Sequence, residues 1–356
     1  MKYITYITLL LLLPLLLLGC NEKNDDQIRP SANIIHDQPS GKINGADLEM
    51  PDRELDSTSF DKLASINVNW IGVIPYGYTK KNSSKVEYGY PFQWWGEKPS
   101  GTIKTIKIAK EKGLKVMLKP HVWVSGQGWP GKFECNTEEE WKIWEDSYRD
   151  YILKFAKIAD SMDVEIFCIG TEYRLAVRER SEFWFKLIRS VRKIYRNKIT
   201  YAANWDNYEN VSFWHKLDLI GIDAYFPITM SKRPEKNELK AGFEKLADRL
   251  KHFSDSCDRK LLFTEYGFRS LDYSTSGYYK YQVDELDTNP ELQADAYETF
   301  LATFWSKPWI KGGFFWKYQF RPESELGGLE NNKYTPQYKP AQEVVSRYYA
   351  KYKRSK

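Results

Sequence analysis

A chain of 356 residues exceeds a minimal domain and suits one α/β barrel, which takes about 250 residues and often more with insertions. Charged residues make up 28%, the net charge is +5, and the basic residues mostly alternate with acidic ones. Nothing in that balance demands nucleic acid, and the densest basic run, Lys351 to Lys356, reads as a solvated helix end. Aromatics are the outlier at 16%, with 13 Trp and 25 Tyr.

The first residues are not fold. Lys2, an apolar run from Leu9 to Leu18 broken only by Pro14, and then Gly19 form a signal-peptide pattern. The run is too short to span a bilayer comfortably. Leu17-Leu18-Gly19-Cys20 resembles a bacterial lipobox, which implies cleavage before Cys20 and acylation of its thiol. Several acyl chains hold firmly, because each buried CH₂ contributes roughly 0.8 kcal/mol. The acidic, polar stretch Asn21 to Asp26 fits a protein anchored in the cell envelope, at the outer membrane and facing outward. The expected organisation is a signal peptide over 1–19, a lipid-anchored flexible tether over 20–41 with Pro30, Pro39 and Gly41, and one barrel domain over 42–356.

From there strands and helices alternate. Eight short β-like runs are expected: Ile43 to Ala46, Val68 to Ile74, Lys115 to Lys119, Val164 to Ile169, Ile199 to Ala203, Leu219 to Ile222, Leu261 to Thr264, and Gly312 to Trp316. The first is the weakest, being short and carrying Gly45. Between them lie helical stripes. Gly113 ends a helix holding Ile103, Ile106 and Ala109. Trp141, Trp144, Tyr148, Ile152, Phe155 and Ala159 recur at threes and fours behind a Thr137–Glu140 capping box. Ser181 is expected to cap the helix of Trp184, Ile188, Val191 and Tyr195, and Leu239, Phe243, Leu246, Leu250 and Phe253 make another stripe. Eight such alternations predict an α/β fold, a (β/α)8 TIM barrel. No phosphate-cradling glycine pattern follows any strand.

Cys135, Cys168 and Cys257 remain after Cys20, an odd number that argues against a disulfide framework; Cys168 lies in an apolar run and reads as a buried small hydrophobe. His36, His121, His215 and His252 show no metal-ligand spacing, so neither metal nor cofactor is expected.

In a parallel barrel the side chains just past the strand C-termini face a common mouth. Here those positions hold Tyr76, His121 and Trp123, Glu172, Asn204 and Trp205, Asp223 and Tyr225, Glu265, and Trp316. Two of them offer a Glu directly after an apolar run. Cleaving a glycosidic bond needs two carboxyl groups flanking it, one to protonate the leaving oxygen and one to attack carbon or activate water. The aromatic residues around them suit sugar rings, whose C–H faces are apolar.

At this point the text resembles a known group. Glu at the ends of the fourth and seventh runs, Tyr after the sixth and Trp closing the eighth is the arrangement of clan A glycoside hydrolases. Ile169-Gly170-Thr171-Glu172, Gly221-Ile222-Asp223-Ala224-Tyr225, Phe263-Thr264-Glu265-Tyr266-Gly267 and Gly313-Phe314-Phe315-Trp316 resemble glycoside hydrolase family 113, best known for β-mannanases. The likeness covers about residues 43 to 320. It implies that Glu172 is the acid/base and Glu265 the nucleophile of a retaining enzyme. Tyr225 would hold Glu265 as an anion, Trp316 would floor the subsite at the cleaved bond, and His121, Asn204 and Trp205 would contact sugar hydroxyls. One departure stands out: most of the clan has Asn before the acid/base, where it binds the sugar 2-hydroxyl, and this chain has Thr171. Another residue, Asn204 being the candidate, would take that role.

Aromatic loops follow the second run (Tyr78, Tyr88, Tyr90, Trp94, Trp95) and the seventh (Tyr273, Tyr278, Tyr279, Tyr281), as candidate subsites. The expectation is a monomeric endo-acting enzyme on a β-1,4-linked hemicellulose, mannan first, with glucan and xylan as alternatives. Its rival is a glycan-binding lipoprotein that has lost the reaction, which would lack one of the two Glu.

Overall fold

A computed structural model describes residues 41–80, 82–277 and 285–353. Cys20, the leader and the tether up to Ser40 lie outside the described residues, as do Tyr278, Tyr279, Tyr281 and the last three residues of the basic tail. The strands are β1 (Ile43–Leu48), β2 (Trp70–Val73), β3 (Tyr76–Thr79), β4 (Val86–Glu87), β5 (Lys115–Leu118), β6 (His121–Val124), β7 (Ile166–Thr171), β8 (Lys198–Asn204), β9 (Ile220–Asp223), β10 (Leu261–Tyr266) and β11 (Ile310–Tyr318). Eight close a parallel barrel in the order β1-β11-β10-β9-β8-β7-β5-β2. They are the eight predicted runs, and the fold is the (β/α)8 barrel.

Gly45 in β1 proves necessary there. A Cβ on it would stand 2.3 Å from the Phe314 ring, and that ring packs inside the barrel with Ile43, Met117, Ile166, Leu219 and Leu262. Outside, the helix Glu138–Ser161 turns its buried stripe, Trp141 through Ala159, onto the barrel, and Thr137 Oγ1 accepts from Glu140 N at its start. Gly113 closes its helix at φ +74. Ser181 departs from expectation: it is the first residue of its helix, Arg180 holds the cap position, and no side chain caps it. Arg180 is instead fastened to Glu138 and Glu145 on the neighbouring helix. Cys135, Cys168 and Cys257 are free, and Cys168 is fully buried.

The loop expected after the second run is partly strand. β3 pairs with β6 in parallel and with β4 in antiparallel, a small sheet standing beside the barrel mouth. Two-to-four-residue strands carry no alternation long enough to read, and the pairing of Tyr76 with His121 joins segments far apart in sequence.

Candidate active site

The barrel mouth collects the charged residues. The strand before Glu172 and the strand carrying Glu265 both lose regular register next to it: β7 against β8 between Cys168 and Thr171, and β10 against β9 between Phe263 and Glu265. Such irregularities re-aim side chains. Glu172 then takes φ +53, a left-handed conformation that costs a non-glycine residue about 1 kcal/mol or more. Its carbonyl accepts from Arg174 N at 2.8 Å, which turns the chain into the helix that follows.

Glu265 has both oxygens occupied. Lys119 Nζ donates to Oε1 at 2.8 Å and the Tyr225 hydroxyl donates to Oε2 at 2.6 Å. Lys119 is fully buried and also donates to Asp47 Oδ2 at 2.8 Å and to the Thr264 carbonyl at 3.0 Å. Burial alone would strip its proton, but Asp47, Glu265 and Asp223 more than offset this, so it remains an ammonium. The seat for Asp47 is Gly72, where a Cβ would collide with Oδ1 at 1.8 Å. Burial, opposed by Lys119, pushes the Asp47 carboxyl up to about 7. Asp223, whose Oδ1 accepts from Thr264 Oγ1 at 2.7 Å, is raised well above the carboxylate range by burial and by Glu265.

Glu172 is placed differently. Although the residue keeps some exposed surface, burial of its carboxyl, and then the charge of Glu265, push it up to about 8. One hydrogen bond opposes this, donated by Trp129 Nε1 to Oε2 at 2.6 Å.

His121 is held neutral by burial and by the charges of Lys119 and Lys317. Its Nε2 stands 3.8 Å from Glu265 Oε1, beyond hydrogen-bond range. Its ring stacks on Trp316, centroids 6.1 Å apart at 7°, and meets Tyr76 edge-on. Tyr76 and Trp316 also line a cleft of about 280 Å³ with Trp123, Tyr78, Trp94, Glu97, Glu49 and Lys317. Neither glutamate lines this cleft; Tyr76 and Trp316 connect it through the His121 ring toward Glu265. Trp123 is half exposed. Tyr78 donates to Glu97 at 2.9 Å.

The structure therefore brings Tyr76, His121, Trp123, Tyr225 and Trp316 to the two Glu or to the adjoining cleft. Asn204 fares otherwise. Its Nδ2 donates to Asp206 at 3.0 Å and its Oδ1 accepts from Trp205 N at 3.0 Å, which leaves one N–H and one lone pair of the amide. Trp205 packs edge-on against Phe226. The Thr171 hydroxyl, buried, has no partner among the described residues. Sequence reasoning missed Lys119, Asp47 and Trp129. The available signal was a lysine closing the apolar strand Val116-Met117-Leu118, where a solvated strand end is the ordinary reading.

The comparisons bear on this site. No curated protein sequence matches the chain. The chain is similar to the solved GH113 β-mannanase AaManA from Alicyclobacillus acidocaldarius in complex with ManMIm, at 26% identity and TM-score 0.76, over 87% of this chain and 98% of that one. A GH113 β-1,4-mannanase solved as a complex matches at 25% identity and TM-score 0.73, over 87% and 99%. A β-glucuronidase from Faecalibacterium prausnitzii, at 13% identity and TM-score 0.58, shares the fold over 49% of its own length. The model of Glycoside Hydrolase Family 113 matches residues 52–339. With a barrel whose mouth sets two unlike glutamates together and a family model spanning most of its length, the chain belongs to glycoside hydrolase family 113.

Proposed function

We propose that this glycoside hydrolase is a retaining endo-β-1,4-mannanase in which Glu265 is the nucleophile and Glu172 the acid/base. The observation that carries the reading is the unlike treatment of the two carboxyls. Glu265 accepts one hydrogen bond from an ammonium and one from a phenol, which hold its two oxygens in place. Glu172 is pushed up to about 8, so it meets substrate protonated at neutral pH.

In the first step a Glu265 oxygen attacks the anomeric carbon. The glycosidic bond breaks toward the leaving oxygen, which takes the proton of Glu172. The ester removes the charge of Glu265, and with it the largest charge that raises Glu172. Glu172 is then an anion that can take a proton from water. The water oxygen attacks the anomeric carbon, and the ester bond breaks back onto Glu265. Lys119 balances Glu265 in the state where it is charged. Neutral His121 adds no further charge beside the nucleophile. Trp316, stacked on His121, presents a flat face where a sugar ring would lie.

The mannan assignment is supported by the named activities of the GH113 structures to which this chain is similar. Purified protein incubated with mannan, glucan and xylan tests it. Release of oligosaccharides from mannan alone is expected, and cleavage of only glucan or xylan overturns it. The envelope location rests on the lipobox-like Leu17 to Cys20. Intact-mass analysis of membrane-extracted protein should find Cys20 as an acylated N-terminus.

A further inference from the structure

The hydrogen bond that Glu172 receives comes from a residue that neither the motifs nor the family likeness singled out. Trp129 Nε1 lies 2.6 Å from Glu172 Oε2. An indole N–H donates and never accepts. The better acceptor of a neutral carboxyl is its carbonyl oxygen, so Oε2 is the carbonyl and the proton sits on Oε1. We propose that Trp129 is a positioning residue that confines the acid proton of Glu172 to Oε1, so that one oxygen both gives and takes the proton during turnover. This rests on the reading of Glu172 as acid/base.

Trp129 is built into this position. The segment after β6 folds back through a bridge between Val124 and Gly128, with Gly126 at φ +82 and Gly128 at φ +76. Gly131 backs the indole closely: a Cβ there would stand 2.1 Å from ring atom Cζ2. The Arg174 guanidinium lies over the ring, 5.0 Å from its centroid. It is itself fixed by Asp206 at 3.0 Å, which accepts from Asn204 Nδ2. The other indoles behave otherwise. Trp184 and Trp214 spend their N–H on backbone carbonyls and Trp305 on the Asn44 side chain. Among these bonds, only that of Trp129 reaches an ionisable group.

The proton path closes on one oxygen. When the glycosidic C–O bond breaks, its electron pair goes to the leaving oxygen, which receives the proton from Oε1. The Glu172 carboxylate then keeps its Trp129 bond at Oε2. Water attacks the anomeric carbon, its proton passes to Oε1, and the ester electron pair returns to Glu265. The charged groups acting on Glu172 include Glu265 from β10, Asp223 from β9, Lys119 beyond β5 and Asp206 beyond β8. Glu265 and Asp206 raise it, while Lys119 and the Trp129 bond lower it. Removing the indole N–H therefore raises it further.

The test compares wild type, Trp129→Phe, Gly131→Ala and Glu172→Ala on β-1,4-mannan and on 2,4-dinitrophenyl β-mannobioside, whose leaving group needs no proton. Trp129→Phe should lose at least about tenfold in kcat/KM on mannan and no more than about twofold on the aryl glycoside, general-acid help being worth about 10²–10⁴-fold in total. The alkaline limb of its pH profile should move to higher pH. Gly131→Ala keeps the N–H but displaces the ring, and should show the same substrate split; it carries the test if the Phe variant fails to fold by thermal denaturation. Equal losses on both substrates with the alkaline limb unmoved overturn the proposal. If Glu172→Ala itself loses equally on both, the acid/base reading falls, and this inference with it; if only the Trp129 and Gly131 variants lack the split, the inference alone falls.

Discussion

The two glutamates stand in one barrel mouth, at equivalent ends of parallel strands, and the protein treats them as opposites. Around Glu265 it places an ammonium and a phenol, each donating to a separate oxygen. Around Glu172 it places burial, the Glu265 charge and a single indole donor. Identical side chains thus meet different surroundings because of what faces them. The general rule is that pairs of titratable groups whose surroundings push them apart mark acid and nucleophile.

The largest test of that contrast removes Glu265. Glu265→Ala should lose turnover by about 10⁴-fold or more, and added azide should restore part of it with a product of inverted configuration. Azide rescue of the Glu172 variant alone would reverse the roles. Glu172→Ala should lose about 10²–10⁴-fold on polysaccharide and little on a dinitrophenyl glycoside. Next comes Lys119→Met, which leaves Asp47 and Glu265 buried without their counter-charge. It should cost about 3–5 kcal/mol of stability, read by urea titration, and at least about tenfold in kcat. Adding Asp47→Asn should return part of the stability and little of the kcat; full recovery of kcat would mean that Lys119 serves Asp47 and not Glu265.

A gentler probe is pH. A carboxyl needed in its protonated form and raised to about 8 supports activity below that value and loses it above. The kcat/KM profile should therefore fall on the alkaline side near pH 8, and Glu172→Gln should abolish that limb. A limb that survives in the Gln variant belongs to another group. The smallest expected effect is at Trp123, half exposed on the cleft wall. Trp123→Ala should raise KM on polysaccharide several-fold, about 1 kcal/mol of ring contact, and leave short aryl glycosides unaffected.

Much of this was legible from residues alone. The eight barrel strands stood out because apolar β-like runs alternate with strongly periodic helices, and a parallel barrel sends whatever follows each strand to one face. Glu172, Glu265, Tyr225 and Trp316 are the residues so delivered. Sequence order fails where a contact joins distant segments. Lys119 looks like a solvated strand end until β1 and β10 bring Asp47 and Glu265 against it. Trp129 followed no strand motif at all. Ser181 was misread as a cap because Arg180, one residue earlier, is held by side chains of another helix.

What this sequence determined by itself was periodicity and order: the alternating elements, the strand ends and the residue types they deliver to the mouth. These depend on neighbours within a few positions along the chain, which a sequence displays directly. What only the tertiary structure decided was the surroundings of each charge: which lysine faces Glu265 and which indole N–H reaches Glu172. Those outcomes depend on burial and on distances of a few ångströms between strands far apart in the chain, and Coulomb and hydrogen-bond energies at that range are set by three-dimensional position.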